Sequence, residues 1–206
     1  MSSQWVLPLA GYVLGSIPFG YLIVRATKGT DVRASGSGNI GATNVNRVAG
    51  AGAGLATLLL DVAKGYFAVW LADRMTSGDI GWMAIMGLAA VVGHLFPVWL
   101  RFHGGKGVAT AVGVFVPLCW MAVAAAAVVW LVVVSIGRYV SLASVVAAGL
   151  LPVCTYLLYA PGTHHAPPLS LSYCTAIVSI LIIVKHRENI RRLLAGTENR
   201  LKSGGR

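Results

Sequence analysis

The chain's 206 residues are 57% hydrophobic and 11% charged, with a mean hydropathy of +0.77. That balance excludes a soluble globular domain of ordinary composition and indicates an integral membrane protein. Sixteen Lys and Arg stand against six Asp and Glu, a formal net charge of +10; most of the excess flanks apolar stretches, so anionic membrane lipid accounts for it and nucleic acid is not expected as a partner.

Apolar runs near the roughly 20 residues that a helix needs to cross a bilayer occur at 4–25, 51–73, 80–100, 107–135, 139–160 and 168–184. They mostly lack the alternation of a barrel strand, and no backbone can lie unpaired against lipid. The expected fold is therefore an all-α, polytopic helical bundle forming one membrane domain over 1–206. The first run has neither a basic front nor a small-residue cleavage pattern, so it reads as a retained span and not as a signal. Cys119, Cys154 and Cys174 sit in apolar surroundings without paired spacing and read as structural thiols. Gly50, Gly52 and Gly54, with the alanines between 122 and 127, read as sites of close helix packing.

Three basic segments interrupt the apolar runs: Arg25, Lys28, Arg33 and Arg47; Arg101 and Lys106; and Lys185, Arg187, Arg191, Arg192, Arg200, Lys202 and Arg206. The excess of positive charge in cytoplasmic loops places all three inside and the amino terminus outside. Arg74 with Asp73 and Asp79, the solitary Arg138, and residues 160–167 with His164 and His165 fall to the opposite face. Three crossings between Lys106 and Lys185 would then leave the tail on the wrong side. Pro117 offers a break that splits 107–135 in two, giving seven spans and a cytoplasmic carboxyl terminus. The alternative is five true crossings, with one segment interfacial or re-entrant.

The first polar segment, GSGNIGATNVNR at 36–47, cannot build a core. Gly36, Gly38 and Gly41 permit tight turns, and Ser37, Asn39, Thr43, Asn44 and Arg47 carry groups able to surround a phosphate. Its GxGxxG spacing follows a membrane helix and not a strand, which excludes a dinucleotide fold. A flexible loop carrying a positive-inside arginine explains the segment equally well.

The second segment, 93–110, holds HGGKG at the mouth of an apolar helix. Position 100 is Leu and position 107 is Gly, so this is not a Walker loop. Gly104, Gly105 and Gly107 nonetheless let the Lys106 ammonium and nearby amides approach a phosphate at a helix amino end. His94, inside the span, is either bonded to a neighbouring helix or functional. His103 at the boundary is either an anchor or part of the site. Asp61 and Lys64, three apart in the second span, can pair along one helix, as structure or in support of a nearby site. In the third segment, 185–200, Arg191, Arg192, Arg200 and Lys202 suit lipid headgroups, while His186 and Asn189 share a helical face and can reach one site.

SGNIGATNVNR at 37–47, LDVAKG at 60–65, GHLFPVWLRFHGGKGVAT at 93–110 and KHRENIRRLLAGTENR at 185–200 together resemble the bacterial acyl-phosphate-dependent glycerol-3-phosphate acyltransferases, the PlsY family, over essentially the whole chain. The resemblance implies a seven-span bundle in the bacterial inner membrane with a cytoplasmic active site. The implied reaction moves an acyl chain from acyl phosphate to the 1-hydroxyl of glycerol 3-phosphate, giving lysophosphatidic acid and inorganic phosphate for phospholipid synthesis. Ser37, Arg47, Lys106, His186 and Asn189 occupy the family's important positions, with Ser37, Lys106 and His186 catalytic. Gly38, Asn39, Gly41, Thr43, Asn44, Arg47, His94, Gly104, Gly105, Gly107 and Asn189 are the expected substrate-binding set. No metal, cofactor or obligate protein partner is expected.

The HxxxxD pattern of many other glycerolipid acyltransferases is absent after His94, His103 and His186, which disfavours a His–Asp dyad. The expected base is the phosphate of glycerol 3-phosphate itself, whose conjugate acid has a pKa of about 6, with His186 as the competitor. A phosphorylated-solute transporter would place polar groups near the midplane or on both faces. A lipid-binding scaffold would explain the basic tail but not Ser37, Arg47 and Lys106 in glycine-rich settings.

Overall fold

The computed structural model describes residues 4–159 and 169–201; His164, His165, Lys202 and Arg206 lie outside them. Among the described residues the regular structure is entirely helical, with nine α-helices and three short 3-10 turns. Five stretches are long and apolar enough to span a membrane: Gln4–Lys28, Ala51–Thr76, Ile80–Leu100, Val108–Gly137 and Val140–Tyr159. A sixth arises if the bent pair Leu169–Lys185 and Arg187–Leu194 is one span. The protein is an all-α integral membrane protein, and its chain divides into two compact units, Met1–Leu118 and Cys119–Arg206.

In the first unit, α1 (Leu7–Gly15) and α2 (Phe19–Lys28) share one apolar run that breaks ahead of Pro18, which has no N–H to continue a helix. After α3 (Ala42–Ala49) come α4 (Ala51–Thr76) and α5 (Ile80–Leu95), the latter opened by Asp79, whose carboxylate accepts from the Trp82 N–H at 3.1 Å. Helix α1 makes its broadest contact with α5. The backbones touch there: a Cβ on Gly15 would strike the Ala90 carbonyl, and one on Gly93 the Tyr12 carbonyl. Of the glycines assigned to packing, Gly54 meets Asn46 of α3, whereas Gly52 has open space and Gly50 forms the α3–α4 turn at φ +89°.

Helix α6 (Val108–Gly137) carries Pro117, and its one non-helical residue is Cys119, at φ −153° and ψ 60°. A break therefore falls two residues beyond the proline that suggested it. Two helical stretches meet at this break, within the run that the seven-span reading divides. Ala122 and Ala126 are buried while Ala124 and Ala127 are exposed, so only part of the alanine run lies on a packed face.

The second unit continues from this break into α7 (Val140–Tyr159), which packs along α8 (Leu169–Lys185). Helix α9 (Arg187–Leu194) leaves α8 at 55° and returns against α7. The tail then folds back onto the start of α7. Leu201 N–H donates to the Arg138 carbonyl at 2.8 Å, the Arg138 guanidinium donates to the Leu201 carbonyl at 2.7 Å, and Arg200 Nε donates to the Tyr139 hydroxyl at 2.7 Å. Arg138 thus lies at the same end of its unit as the basic tail. This corrects its assignment to the opposite face: a lone arginine has little weight in a charge count, whereas its hydrogen bonds to the tail fix its place.

Candidate active site

The first polar segment is a fixed turn. Val32 and Ile40 bury into one cluster with Val24 of α2, Val45 of α3 and Leu100 of the second polar segment. Five buried aliphatic side chains thus tie both polar segments to one end of the first unit, at about 1.5–3 kcal/mol each. At its start, the Asp31 carboxylate caps Arg33 N–H at 2.9 Å and takes the Arg33 guanidinium at 2.7–3.1 Å. The Arg33 hydrogen bond holds the Asp31 carboxyl below its usual value.

Asn44 holds the turn from within. Its Nδ2 donates to the carbonyls of Val32, Ser35 and Asn39 at 3.2, 3.1 and 2.8 Å, and its Oδ1 accepts the Ser37 N–H at 2.8 Å. Only 2% of the residue is exposed. Asn44 was expected among the phosphate donors; the structure commits its amide to the backbone that carries Ser37. Gly36, at φ +63°, has Asn44 Oδ1 where a Cβ would stand. Asn39 Oδ1 accepts the Gly41 N–H at 2.8 Å, which sets the entry to α3.

Around this frame, Ser37 and Gly38 are exposed, and Asn39, Gly41 and Thr43 are half-buried. Arg47 is exposed on the last turn of α3, and among the described residues no carboxylate lies within ion-pair distance of it. A guanidinium so placed can take a substrate anion at little internal cost.

The second segment folds back over the end of α5. Gly104 N–H donates to the Leu95 carbonyl at 3.3 Å and Gly105 N–H to the His94 carbonyl at 3.0 Å. A Cβ on Gly104 would strike the His94 carbonyl, and one on Gly105 would strike His94 Nε2. His94, 4% exposed, is therefore the floor beneath the glycines and not an open donor. Lys106 is half-buried at the next position, and Gly107, at φ +85°, turns the chain into α6. His103 is exposed, its Nδ1 donating to the Arg101 carbonyl at 2.7 Å.

Beneath this loop lies the Asp61–Lys64 pair at 2.8 Å, each side chain 3% exposed, with His94 Nδ1 at 3.5 Å from Asp61 Oδ1. The pair suggested by the i, i+3 spacing is present; its contact with His94, from another helix, was not legible.

In the second unit His186 stands at the bend between α8 and α9, 3% exposed, with Nδ1 2.8 Å from the Ile182 carbonyl. A carbonyl only accepts, so the neutral ring carries its proton on Nδ1 and Nε2 is its basic edge. Asn189 is 5% exposed and donates to Glu198 Oε1 at 2.7 Å. Glu198 also accepts from Ser141 at 2.8 Å and from Arg192 Nε at 2.7 Å. Burial acts to raise the Glu198 carboxyl, but Asn189, Ser141 and Arg192 together outweigh it and hold the group below the usual glutamate value. Arg192, expected at lipid headgroups, is turned to this carboxylate. Sequence reasoning missed Ser141 and Glu198 as supports of Asn189; the one local signal is Gly196, whose φ of +69° lets the chain double back.

The family described as glycerol-3-phosphate acyltransferase matches residues 5–196. The chain is 48% identical to the glycerol-3-phosphate acyltransferase of Mesorhizobium japonicum over 95% of this chain and 94% of that one. It is 45% identical to that of Geobacter sulfurreducens over 98% and 100%. Among solved structures it is similar to the glycerol 3-phosphate form of PlsY (YgiH), an integral membrane glycerol 3-phosphate acyltransferase, with a TM-score of 0.88 and 39% identity over 98% of this chain and 96% of that one. The lysophosphatidic acid form of the same enzyme matches with a TM-score of 0.83 and 38% identity, at the same coverage. With the fold, the polar segments and near-complete coverage in agreement, the chain belongs to the glycerol-3-phosphate acyltransferase family.

Proposed function

We propose that this protein transfers an acyl chain from acyl phosphate to the 1-hydroxyl of glycerol 3-phosphate in the bacterial inner membrane, with its polar segments facing the cytoplasm. The observation that supports this most is the pair of glycine-rich turns fixed on one buried cluster, which carry Ser37, Arg47 and Lys106 at one end of a membrane unit. Both proposed substrates bear phosphate, and these side chains supply two cations and a hydroxyl for it. Relatives solved with glycerol 3-phosphate and with lysophosphatidic acid support the acceptor and the product.

In the proposed reaction the 1-hydroxyl oxygen attacks the acyl carbonyl carbon, the carbon–oxygen bond to phosphate breaks, and inorganic phosphate leaves. The hydroxyl proton passes to the phosphate of glycerol 3-phosphate, whose conjugate acid has a pKa of about 6. Lys106, Ser37 and loop amides hold phosphate and stabilise the charge that develops on the acyl oxygen. Arg47 captures substrate phosphate, together with the half-buried Asn39 and Thr43. Direct attack requires no acyl-enzyme. The test is purified protein with labelled glycerol 3-phosphate and palmitoyl phosphate, run beside palmitoyl-CoA and an acyl carrier protein thioester; lack of lysophosphatidic acid from the phosphate donor rejects the proposal.

A further inference from the structure

One turn of α4 lies beneath both ends of the Lys106 loop. On the α5 side, Asp61 Oδ1 is 3.5 Å from His94 Nδ1, a contact too long for a good hydrogen bond but close for a carboxylate and an imidazole. The opposite edge of that imidazole occupies the place a Gly105 Cβ would take, and the His94 carbonyl accepts the Gly105 N–H at 3.0 Å. On the α6 side, the site of a Gly65 Cβ is filled by the Thr110 carbonyl, and that of a Gly113 Cβ by the Val62 carbonyl. Residues 61–65 therefore set the height of His94 and the position of the first turn of α6, and Lys106 is strung between the two.

Lys64 keeps this turn in place. Its ammonium is 2.8 Å from Asp61, donates to the Ile17 carbonyl at 2.8 Å in the break between α1 and α2, and lies 5.6 Å from the centre of the Phe19 ring. Asp61 is 2% exposed and Lys64 5%. A buried carboxylate–ammonium pair is costly against an apolar pair of the same volume, so its retention needs a reason beyond stability. We propose that Asp61, held by Lys64, is a positioning residue for Lys106: through His94 it fixes the floor on which Gly104 and Gly105 are laid, and so the place at which the ammonium meets substrate phosphate. This rests on the reading of Lys106 as a phosphate ligand.

The test is the charge-neutral pair Asp61→Asn/Lys64→Met, made in the parent and in a Lys106→Ala background, with glycerol 3-phosphate affinity measured calorimetrically on purified full-length protein. In the parent background the pair should weaken binding about tenfold or more, the loss expected when a charged hydrogen bond to phosphate is displaced. In the Lys106→Ala background it should change affinity less than about twofold, because the effect runs through a side chain no longer present. Equal losses in both backgrounds, or no loss in the parent, overturn the inference. If the pair does not purify folded, His94→Gln must show the same dependence on Lys106, and its failure to do so overturns the inference equally. A parent protein that binds no glycerol 3-phosphate overturns the acyltransferase reading and this inference with it, whereas binding by the parent and unaltered binding by the variant overturn this inference alone.

Discussion

Gly105→Ala adds one methyl group, directed at His94 Nε2. The new Cβ would lie 2.6 Å from His94 Cε1 and 2.9 Å from Cδ2. Carbon atoms pack at about 3.5–4.0 Å, so ring and loop must separate by about 1 Å. His94 is only 4% exposed and has Asp61 at 3.5 Å behind it, so the loop has to yield. Overpacking of this kind costs about 1–3 kcal/mol of stability. Carried to Lys106, the same shift lowers kcat/KM by about 100-fold. The assay is the initial rate of lysophosphatidic acid formation, with a melting curve on the same preparation. Gly52→Ala is the control: a Cβ there meets nothing within 4 Å, so activity should be unchanged and stability equal or higher by up to about 1 kcal/mol. A folded Gly105→Ala protein with activity within about twofold of the parent would refute the reasoning that the loop rests on the His94 ring.

Lys106→Ala should lower kcat by about 100-fold to 1,000-fold, with the melting temperature little changed. Arg47→Ala should act mainly on KM for glycerol 3-phosphate, by about tenfold, as expected of a lost charged contact made equally before and in the transition state. Asn44→Ala removes two N–H donors shared among three carbonyls and one accepted bond, which together shape the first turn; at about 1 kcal/mol net for each of these three groups, it should destabilise by about 3 kcal/mol and lose activity, read by denaturant melts and rate. Glu198→Gln tests a carboxyl held below its ordinary value of 4.5. The stability from a lowered carboxyl is full above that ordinary value and is lost as pH falls through the lowered one, so the parent's advantage in melting temperature should be largest near neutrality and shrink below pH 4.5.

The helices were legible because lipid imposes length and apolarity on every span, and neither depends on tertiary partners. The break in α6 was foreseeable from Pro117. The roles of polar residues were harder to read. Asn39, Thr43 and Asn44 are equivalent donors on paper, yet of the three Asn44 alone is buried, where its Nδ2 meets backbone carbonyls and its Oδ1 takes the Ser37 N–H. His94 contacts Asp61 from a different helix, and Glu198 gathers Ser141, Asn189 and Arg192, groupings that sequence spacing does not encode. For Lys106 and Arg47 it is placement that the structure adds to their charge: Lys106 stands between Gly105 and Gly107 ahead of α6, and Arg47 is exposed on the last turn of α3.

The most direct test of acyl transfer between two phosphorylated substrates is the stoichiometry of inorganic phosphate and lysophosphatidic acid released by the purified protein from palmitoyl phosphate and glycerol 3-phosphate. The proposed reaction gives equal amounts of the two in step, neither from Lys106→Ala above background, and no acylated protein after an acid quench. Phosphate released without lysophosphatidic acid, or an acyl group trapped on Ser37, would contradict it.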